Sequence, residues 1–294
     1  QYRSTWARHV EPRWADVPCD AIRPLDVQQW LMEQGRSVAM ASMHLMRQVL
    51  DYATRYELIP TNPLEVRYLL PSASTVARRD DGIWTPEELG EVWHACHDTW
   101  LEPAMLLAGF AGCRVGEALG VRSDDVRMVR EQGTSVALVR IERQIDSRAR
   151  EADRTKNRWS RRTALLAGQP AKRLMELAAL AGQAREEPET CVYLTRFPGK
   201  EKATQQQLRR AFTQSLEGHN VRVHLFKNLR STWQTNARWV LRLPPWVVEP
   251  MMGHVGKTVT GRYYDKPSDQ ELVSALAEAW REHPFGDAYA WLKS

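Results

Sequence analysis

The sequence predicts a mainly helical protein with a small β-sheet, an α+β fold arranged in two domains. Ser37–Leu58 carries apolar side chains at the spacing of one helix face and is the clearest of several helical segments near the start. Val136–Ile145 is rich in Val, Ile and Leu and predicts a strand, with Arg161–Leu166 as its partner across a long basic connection. Pro71–Gly82 is small, polar and charged, which is typical of an interdomain linker.

The first domain is expected to be all helical. Thr5–Trp14 and Leu25–Glu33 are predicted to be shorter amphipathic helices. Another short helix is expected to open at 61–63, because proline is tolerated in a first helical turn. We place the first domain at 1–70, the linker at 71–84 and the second domain at 85–294.

The second domain is expected to mix helices with a few strands. Its first helix begins after Thr85, which can cap it, and Glu88 completes a capping box. Cys191–Thr195 is a candidate third strand. From residue 204 onward the pattern is helical, and it includes Asp269–Glu282 with apolar side chains along one face.

Positive charge is clustered along the chain. The 294 residues carry 41 Lys and Arg against 36 Asp and Glu, a net charge of +5. Residues 196–238 hold nine basic side chains against two acidic ones and residues 140–162 hold nine against four, whereas 1–70 is balanced at eight each. Such clusters indicate a surface that faces a polyanion, with a solvated charged face as the alternative.

The composition disfavours several classes of protein. No segment approaches the roughly 18 uncharged apolar residues of a membrane span, and no secretion signal opens the chain. The four cysteines are scattered without a CxxC pair, which fits a reducing cytoplasm and predicts neither a disulfide framework nor a zinc site. The segment 94–97 (HACH) has no second ligand pair at suitable spacing, so we expect no metal there.

Two segments of the second domain combine basic side chains in patterned sequences. Residues 111–119 read AGCRVGEAL and set Arg114 one helical turn before Glu117. Alone, this predicts an ordinary ion pair on a helix surface. Residues 155–163 read TKNRWSRRT and include Lys156. Alone, they predict a basic loop that contacts phosphate.

Two further segments follow in the last third of the chain. Residues 227–232 read KNLRST, with Arg230 three positions after Lys227. Residues 252–264 read MGHVGKTVTGRYY, with Tyr263 nine positions after His254. Tyr264 would point about 100° away from its neighbour in a helix. Alone, such a tyrosine pair predicts core packing.

Together and in this order, the four segments resemble the motifs of the tyrosine recombinases of the phage and mobile-element integrase kind. The resemblance covers nearly the whole chain, as a helical core-binding domain, a linker and a catalytic domain. Ala111 stands where the family usually has Thr, and Glu117 would hold the local structure. The resemblance implies a catalytic set with these roles: Arg114 and Arg230 clamp the phosphate, Lys156 is the general acid, Lys227 replaces the usual His, His254 assists at the phosphate, and Tyr263 is the nucleophile.

The resemblance also implies a function and partners. The enzyme would cleave and rejoin double-stranded DNA attachment sites through a 3′-phosphotyrosyl intermediate, integrating or excising a mobile element in a bacterial cytoplasm. It would assemble as a tetramer on DNA, with an excision factor or a host DNA-bending factor as a further partner, and would need no cofactor and no metal. Two alternatives stay open: a type IB topoisomerase-like enzyme, and a catalytically silent DNA-binding protein on the same scaffold.

The C-terminal tail, 284–294, holds too many large apolar side chains for a solvated segment, among them Phe285, Tyr289 and Trp291. Two interpretations stay open. The tail folds back onto its own catalytic domain, or, as the resemblance implies, it docks on a neighbouring subunit.

Overall fold

The structure is a computed structural model in which residues 2–72, 82–152, 162–183, 192–253, 267–283 and 285 are described. The chain divides into two compact units, Gln1–Arg79 and Asp80–Ser294, each with its own apolar core. The predicted linker, 71–84, lies mostly outside the described residues, so its limits stay a prediction. Over the described ranges, no helix has both the length and the apolar character needed to cross a bilayer.

The first unit packs short helical elements against one long helix. In chain order these are α1 (Tyr2–Thr5), a π-helical turn (Trp6–Val10), α2 (Glu11–Trp14), a 3-10 turn (Cys19–Ala21), α3 (Pro24–Met32), α4 (Arg36–Arg55) and a 3-10 turn (Pro63–Glu65). In the core, Trp14 and Trp30 meet edge to face with ring centroids 5.6 Å apart. The predicted helices are confirmed to within a few residues, and the segment opened by Pro63 is a single 3-10 turn.

Helix α4 ends three residues before the predicted end at Leu58. Glu57 takes a left-handed backbone conformation with φ of 57°. The Leu58 N–H donates to the Ala53 carbonyl at 3.0 Å, which closes the helix in a Schellman arrangement. The apolar pattern continues through Leu58, so side-chain spacing alone could not reveal this stop.

The second unit holds the remaining helices. They are α5 (Pro86–Cys96), α6 (Glu102–Ala111), α7 (Val115–Gly120), a 3-10 turn (Ser123–Asp125), α8 (Gly168–Gln183), α9 (Gln205–Gly218), α10 (Asn228–Trp239), α11 (Pro245–Met252) and α12 (Asp269–Glu282). The capping box of α5 is confirmed, because Thr85 Oγ1 accepts from the Glu88 N–H at 3.2 Å and Glu88 Oε2 accepts from the Thr85 N–H at 2.8 Å. Helix α12 has the predicted bounds.

A three-stranded antiparallel sheet has the order β1 (Val126–Glu131), β2 (Thr134–Ile141), β5 (Arg162–Ala167). A separate two-stranded ribbon pairs β3 (Gln144–Ile145) with β4 (Glu151–Ala152). The predicted pairing of the two strand segments is confirmed, with Val139 opposite Ala164. The predicted strand Val136–Ile145 is not continuous, because β2 ends at Ile141 and Gln144–Ile145 belongs to the ribbon. Strand β1 was not predicted, because two arginines interrupt its apolar pattern at this sheet edge.

The prediction of a strand at Cys191–Thr195 is wrong for its described part. Tyr193 forms one isolated bridge with Arg122, and the neighbouring residues are bends or irregular. Tyr193 is buried, with its hydroxyl donating to Glu151 Oε2 at 2.5 Å. The segment therefore pairs at this single bridge, through the Ser123 N–H to the Val192 carbonyl and the Leu194 N–H to the Val121 carbonyl, and side-chain burial holds the rest.

Helix α6 lies at the centre of the second unit. All ten of its residues are buried, as expected of a helix that is apolar on nearly every face. It packs against α5, α7, α8, α10 and β5. The chain leaves this helix at Gly112, so the residues that follow are held against the core of the unit.

Candidate active site

The connection from α6 to α7 places Arg114. Gly112 ends α6 with a left-handed φ of 65°. A Cβ atom at this position would lie 2.4 Å from both the Met252 Sδ and the Trp233 Cδ1, so the close approach requires glycine. Arg114 follows as the N-cap residue of α7, with its side chain 48% exposed.

Glu117 accepts two hydrogen bonds from Arg114. Its Oε2 accepts from the Arg114 backbone N–H at 2.8 Å, and its Oε1 accepts from Arg114 Nη1 at 2.8 Å. The Glu117 side chain is fully buried. The expectation that Glu117 holds the local structure agrees with this geometry, and the pair is not the exposed ion pair that the isolated motif predicts.

Arg162, the first residue of β5, reaches the same carboxylate. Its Nη2 donates to Glu117 Oε2 at 2.8 Å, and its Nε donates to the Met251 carbonyl at 3.0 Å. Its side chain is 8% exposed. No role was predicted for Arg162, although it lies within the basic segment 155–163.

Arg230, on α10, completes the group. Its Nη1 donates to the Gly112 carbonyl, its Nη2 donates to the Met252 carbonyl at 2.6 Å, and its Nη1 lies 3.9 Å from Glu117 Oε2. Arg114 and Arg230, assigned from separate sequence motifs, are therefore brought together around one carboxylate. We call Arg114, Arg162, Arg230 and Glu117 the arginine cluster.

The charges of the arginine cluster are fixed at neutral pH. Burial would raise the pKa of Glu117, but hydrogen bonds and charge from Arg162 and Arg114 outweigh it and lower that pKa to about 2. Burial, aided by the nearby charge of Arg114, lowers the pKa of Arg230 to about 10, so Arg230 also stays ionised. Three guanidinium charges against one carboxylate leave two positive charges for an anion.

Lys227 lies next to the cluster in the chain. It is the N-cap residue of α10, one helical turn before Arg230, and it is exposed. An exposed ammonium at this point adds positive charge to the start of the helix that carries Arg230.

The other three predicted site residues, Lys156, His254 and Tyr263, lie outside the described residues. Gly253, directly before His254, ends α11 with a φ of 66°. A Cβ atom on Gly253 would lie 3.1 Å from the Arg162 guanidinium. The residue directly before His254 is therefore packed against Arg162 of the arginine cluster.

The arginine cluster suits an oxyanion. Guanidinium groups present planar sets of donors that match the oxygens of phosphate and keep their charge. Arg114 is half exposed and Arg230 is partly exposed, so an anion can approach both, with the buried Glu117 behind them. The arrangement can bind a phosphate and stabilise negative charge that develops on it.

A second charged group in the same unit, His97, Asp98 and Glu102, has the spacing of metal ligands. Arg173 already donates to both oxygens of Glu102, from Nε at 3.0 Å and from Nη2 at 2.8 Å. A cation in this position explains the buried carboxylate without a metal.

Comparison with known proteins finds similarity at the level of structure. No protein-family model matches the chain, and no curated protein matches its sequence. A Tn1549 transposon integrase in complex with transposon right end DNA is 14% identical, with a TM-score of 0.63, over 95% of this chain and 93% of that one. A lambda integrase tetramer bound to a Holliday junction is 16% identical, with a TM-score of 0.60, over 88% of this chain and 71% of that one.

A third similar structure is the XerH site-specific recombinase bound to a palindromic difH substrate in a post-cleavage complex. It is 14% identical, with a TM-score of 0.54, over 95% of this chain and 76% of that one. At these identities the similarity describes the fold. The predicted α+β fold and the expected resemblance are confirmed at that level, and the chain has the fold of the tyrosine recombinases.

Proposed function

We propose that this protein is a site-specific DNA recombinase that cleaves and rejoins DNA through a 3′-phosphotyrosyl intermediate. The observation that carries the proposal is the meeting of Arg114 and Arg230 around the buried Glu117. Two arginines from distant segments give a phosphate two forks of donors in one place. The fold of the tyrosine recombinases supports the same reading.

The proposed reaction is a reversible exchange of phosphate esters. The phenol oxygen of Tyr263 forms a bond to phosphorus, and the bond from phosphorus to the 5′ oxygen breaks. Lys156 donates a proton to the departing 5′ oxygen, and the phenol proton passes to a neighbouring base, for which His254 is the candidate. A 5′ hydroxyl of a partner strand then attacks phosphorus, restores the DNA backbone and releases Tyr263.

The arginine cluster would supply the electrostatic part of catalysis. A phosphodiester carries one negative charge, and the pentavalent state that forms during attack carries about two. The two surplus positive charges of the cluster therefore balance the charge of the pentavalent state better than that of the phosphodiester. Stabilisation that is stronger in the transition state accelerates the reaction, so we expect cleavage to need no divalent cation.

The proposed partners are double-stranded DNA attachment sites and further copies of this chain. The lambda integrase that resembles it was captured as a tetramer on a Holliday junction, which supports a tetramer here. Integration or excision of a mobile element, with a DNA-bending or excision factor, is the proposed role.

The test begins with a pool of DNA duplexes whose central sequence is randomised. Rounds of gel-shift selection would yield the bound sites. Each selected site is then made as a nicked duplex. Cleavage of this duplex releases a short strand, so the reverse reaction cannot occur and the covalent product is trapped. Incubated in excess EDTA, the wild-type chain is expected to form a protein–DNA adduct that survives detergent. Tyr263→Phe should abolish the adduct and keep DNA binding, with Tyr264→Phe as the matched control.

The alternatives give different results. Relaxation of supercoiled plasmid without joining of two sites would favour a type IB topoisomerase-like enzyme. Selection of bound sites without any adduct would favour a catalytically silent DNA-binding protein. Strict dependence of cleavage on magnesium would contradict the proposed mechanism.

A further inference from the structure

Arg162 differs from the other two arginines of the cluster in its exposure. Its side chain is 8% exposed, against 15% for Arg230 and 48% for Arg114. Its Nε and Nη2 are engaged by protein acceptors, and its Nη1 is buried without an acceptor over the described ranges. A guanidinium enclosed in this way has no nitrogen left at the surface for a DNA phosphate.

The contacts of Arg162 connect two parts of the site. Through Nη2 it holds Glu117, which in turn fixes the backbone and the guanidinium of Arg114. Through Nε it holds the Met251 carbonyl, next to the Met252 carbonyl that Arg230 holds. These are the last carbonyls of α11, whose partial negative charge favours such cations.

Gly253 adds a packing contact to the same connection. Its Cα lies so close to Arg162 that an added Cβ would meet the Cδ, Nε and Cζ atoms at 3.1 Å. Arg162 therefore borders the last turn of α11 on one side and the carboxylate of Glu117 on the other.

We propose that Arg162 is a positioning residue: it fixes Glu117 and the last turn of α11 relative to each other, and so sets where Arg114 and Arg230 stand toward a phosphate. The role of Arg162 in catalysis rests on the proposed function. Its role in holding the two elements is a property of the protein alone, so the two can be tested separately.

The planar shape of arginine is required for this role. Nε and Nη2 lie on one edge of the guanidinium and reach two acceptors on different elements. A lysine would keep the charge, but its single ammonium cannot replace both donors at these positions. Arg162→Lys thus separates geometry from charge, and Arg162→Gln removes the charge as well.

A matched control exists in the same unit. Arg173 is 16% exposed and donates to the buried Glu102, in a group of residues that shares no member with the arginine cluster. Arg173→Lys and Arg173→Gln should destabilise the protein for the same physical reasons. They should leave the arginine cluster as it is.

The first readout is hydrogen exchange of the full chain without DNA. Arg162→Gln and Arg162→Lys are expected to speed exchange of the Arg114 amide and of the last amides of α11 by about tenfold or more, because the charge-assisted hydrogen bonds that hold Glu117 and the Met251 carbonyl are lost. Arg173 variants should leave both segments within about twofold of wild type. Equal protection in wild type and Arg162→Lys would overturn the positioning role.

The second readout is the rate of adduct formation on the selected nicked duplexes, below the melting temperature of every variant. Both Arg162 variants should lose about tenfold or more in rate while single-site DNA affinity stays within about threefold, because misplacement affects the transition state more than binding. An equal loss in the Arg173 variants would show a merely structural effect and overturn the proposal.

The pH dependence gives a signature that instability alone would not. Within the described residues, Glu117 faces Arg114, Arg162 and Arg230, with Cys113 beside them. Without Arg162, burial raises the pKa of Glu117 with less opposition, so Glu117 takes up a proton at higher pH. The rate of Arg162→Gln relative to wild type should therefore decline as the pH is lowered, while that of Arg173→Gln stays constant.

The outcomes separate the two proposals. A wild-type chain that forms no adduct would remove the proposed function, and hydrogen exchange would still decide whether Arg162 holds Glu117. A normal wild-type adduct with unaffected Arg162 variants would retain the proposed function and overturn the role of Arg162.

Discussion

At the scale of single residues, Glu117 determines how the arginines stand. It is a fully buried carboxylate that accepts three hydrogen bonds at 2.8 Å from two arginines. Replacing it with glutamine leaves buried guanidinium charge without its counter-charge. We expect Glu117→Gln to lower the free energy of unfolding by about 3 kcal/mol at pH 7, as for other broken buried pairs.

The same residue predicts a pH dependence. The pKa of Glu117 is about 2 in the folded protein and about 4.3 in an unfolded chain, so its contribution is complete above pH 4.3 and is lost as the pH falls toward 2. Urea unfolding at pH 7, 5 and 3 should show the gap between wild type and Glu117→Gln shrinking at pH 3. A constant gap would refute the assignment. Glu249→Gln, in an ion pair with Arg238 near the surface, is the control and should cost less than about 1 kcal/mol.

Lys227 is the second residue whose role can be measured. It is exposed one turn before Arg230, in the position where the family usually has His. Since charge or a hydrogen bond would serve there, Lys227→His should keep the adduct rate within about threefold, and Lys227→Ala should lose more. Wild-type rates in both variants would show that Lys227 is a bystander.

The residues of the site were only partly predictable. Arg114 and Arg230 lie together around Glu117, as the resemblance of their two motifs implied. Arg162 was missed because its partners, Glu117 and the Met251 carbonyl, lie far away in the sequence. The Met251 carbonyl is a backbone group, so the order of side chains in the sequence cannot indicate that it accepts a hydrogen bond.

At the scale of elements, the turn between α6 and α7 constrains the site most strongly. Gly112 has a left-handed φ and no room for a Cβ, whereas Gly133, in the turn between β1 and β2, has a φ of 82° and nothing within 4 Å. Gly133→Ala should cost about 1 kcal/mol from backbone strain alone. Gly112→Ala should cost at least about 2 kcal/mol more, because Trp233 and Met252 must move.

Chemical unfolding of both glycine variants measures that difference. Since Arg230 donates to the Gly112 carbonyl, Gly112→Ala should also slow adduct formation, and Gly133→Ala should not. Equal costs in the two variants would mean that the close packing at Gly112 is not a constraint.

Elements with their own sequence signals were predicted well. Helix α12 has a capping box at Ser268 and Glu271 and an apolar face, and its predicted bounds are confirmed. Strand β1 has no such signal, because Arg127 and Arg130 leave it without a continuous apolar face. It forms because the Gln132–Gly133 turn, with positive φ at both residues, folds it onto β2.

At the scale of the whole molecule, the role of the C-terminal tail, 284–294, can be tested by measuring assembly on DNA. Phe285 is buried against Phe110 and Trp280 of its own unit, with ring centroids 6.3 and 5.1 Å away. The remaining tail lies outside the described residues. A deletion that begins at residue 286 therefore preserves this contact and tests the role of the last nine positions of the sequence alone.

We expect deletion of 286–294 to leave the melting temperature and single-site DNA binding close to wild type, and to weaken the pairing of two DNA sites. Gel shifts with one and two selected sites measure both effects. Unchanged pairing by a well-folded truncation would rule out docking on a neighbouring subunit. Loss of folding would favour a tail that packs on its own domain.

Mass spectrometry of the trapped adduct shows whether Tyr263 becomes covalently joined to DNA, as proposed. After nuclease and trypsin digestion, cleavage behind Arg262 yields a peptide that begins with Tyr263 and Tyr264. Fragmentation then locates the phosphate and its nucleotide remnant on one of the two. We expect the remnant on Tyr263, and a remnant on Tyr264 or on any other side chain would contradict the proposed mechanism.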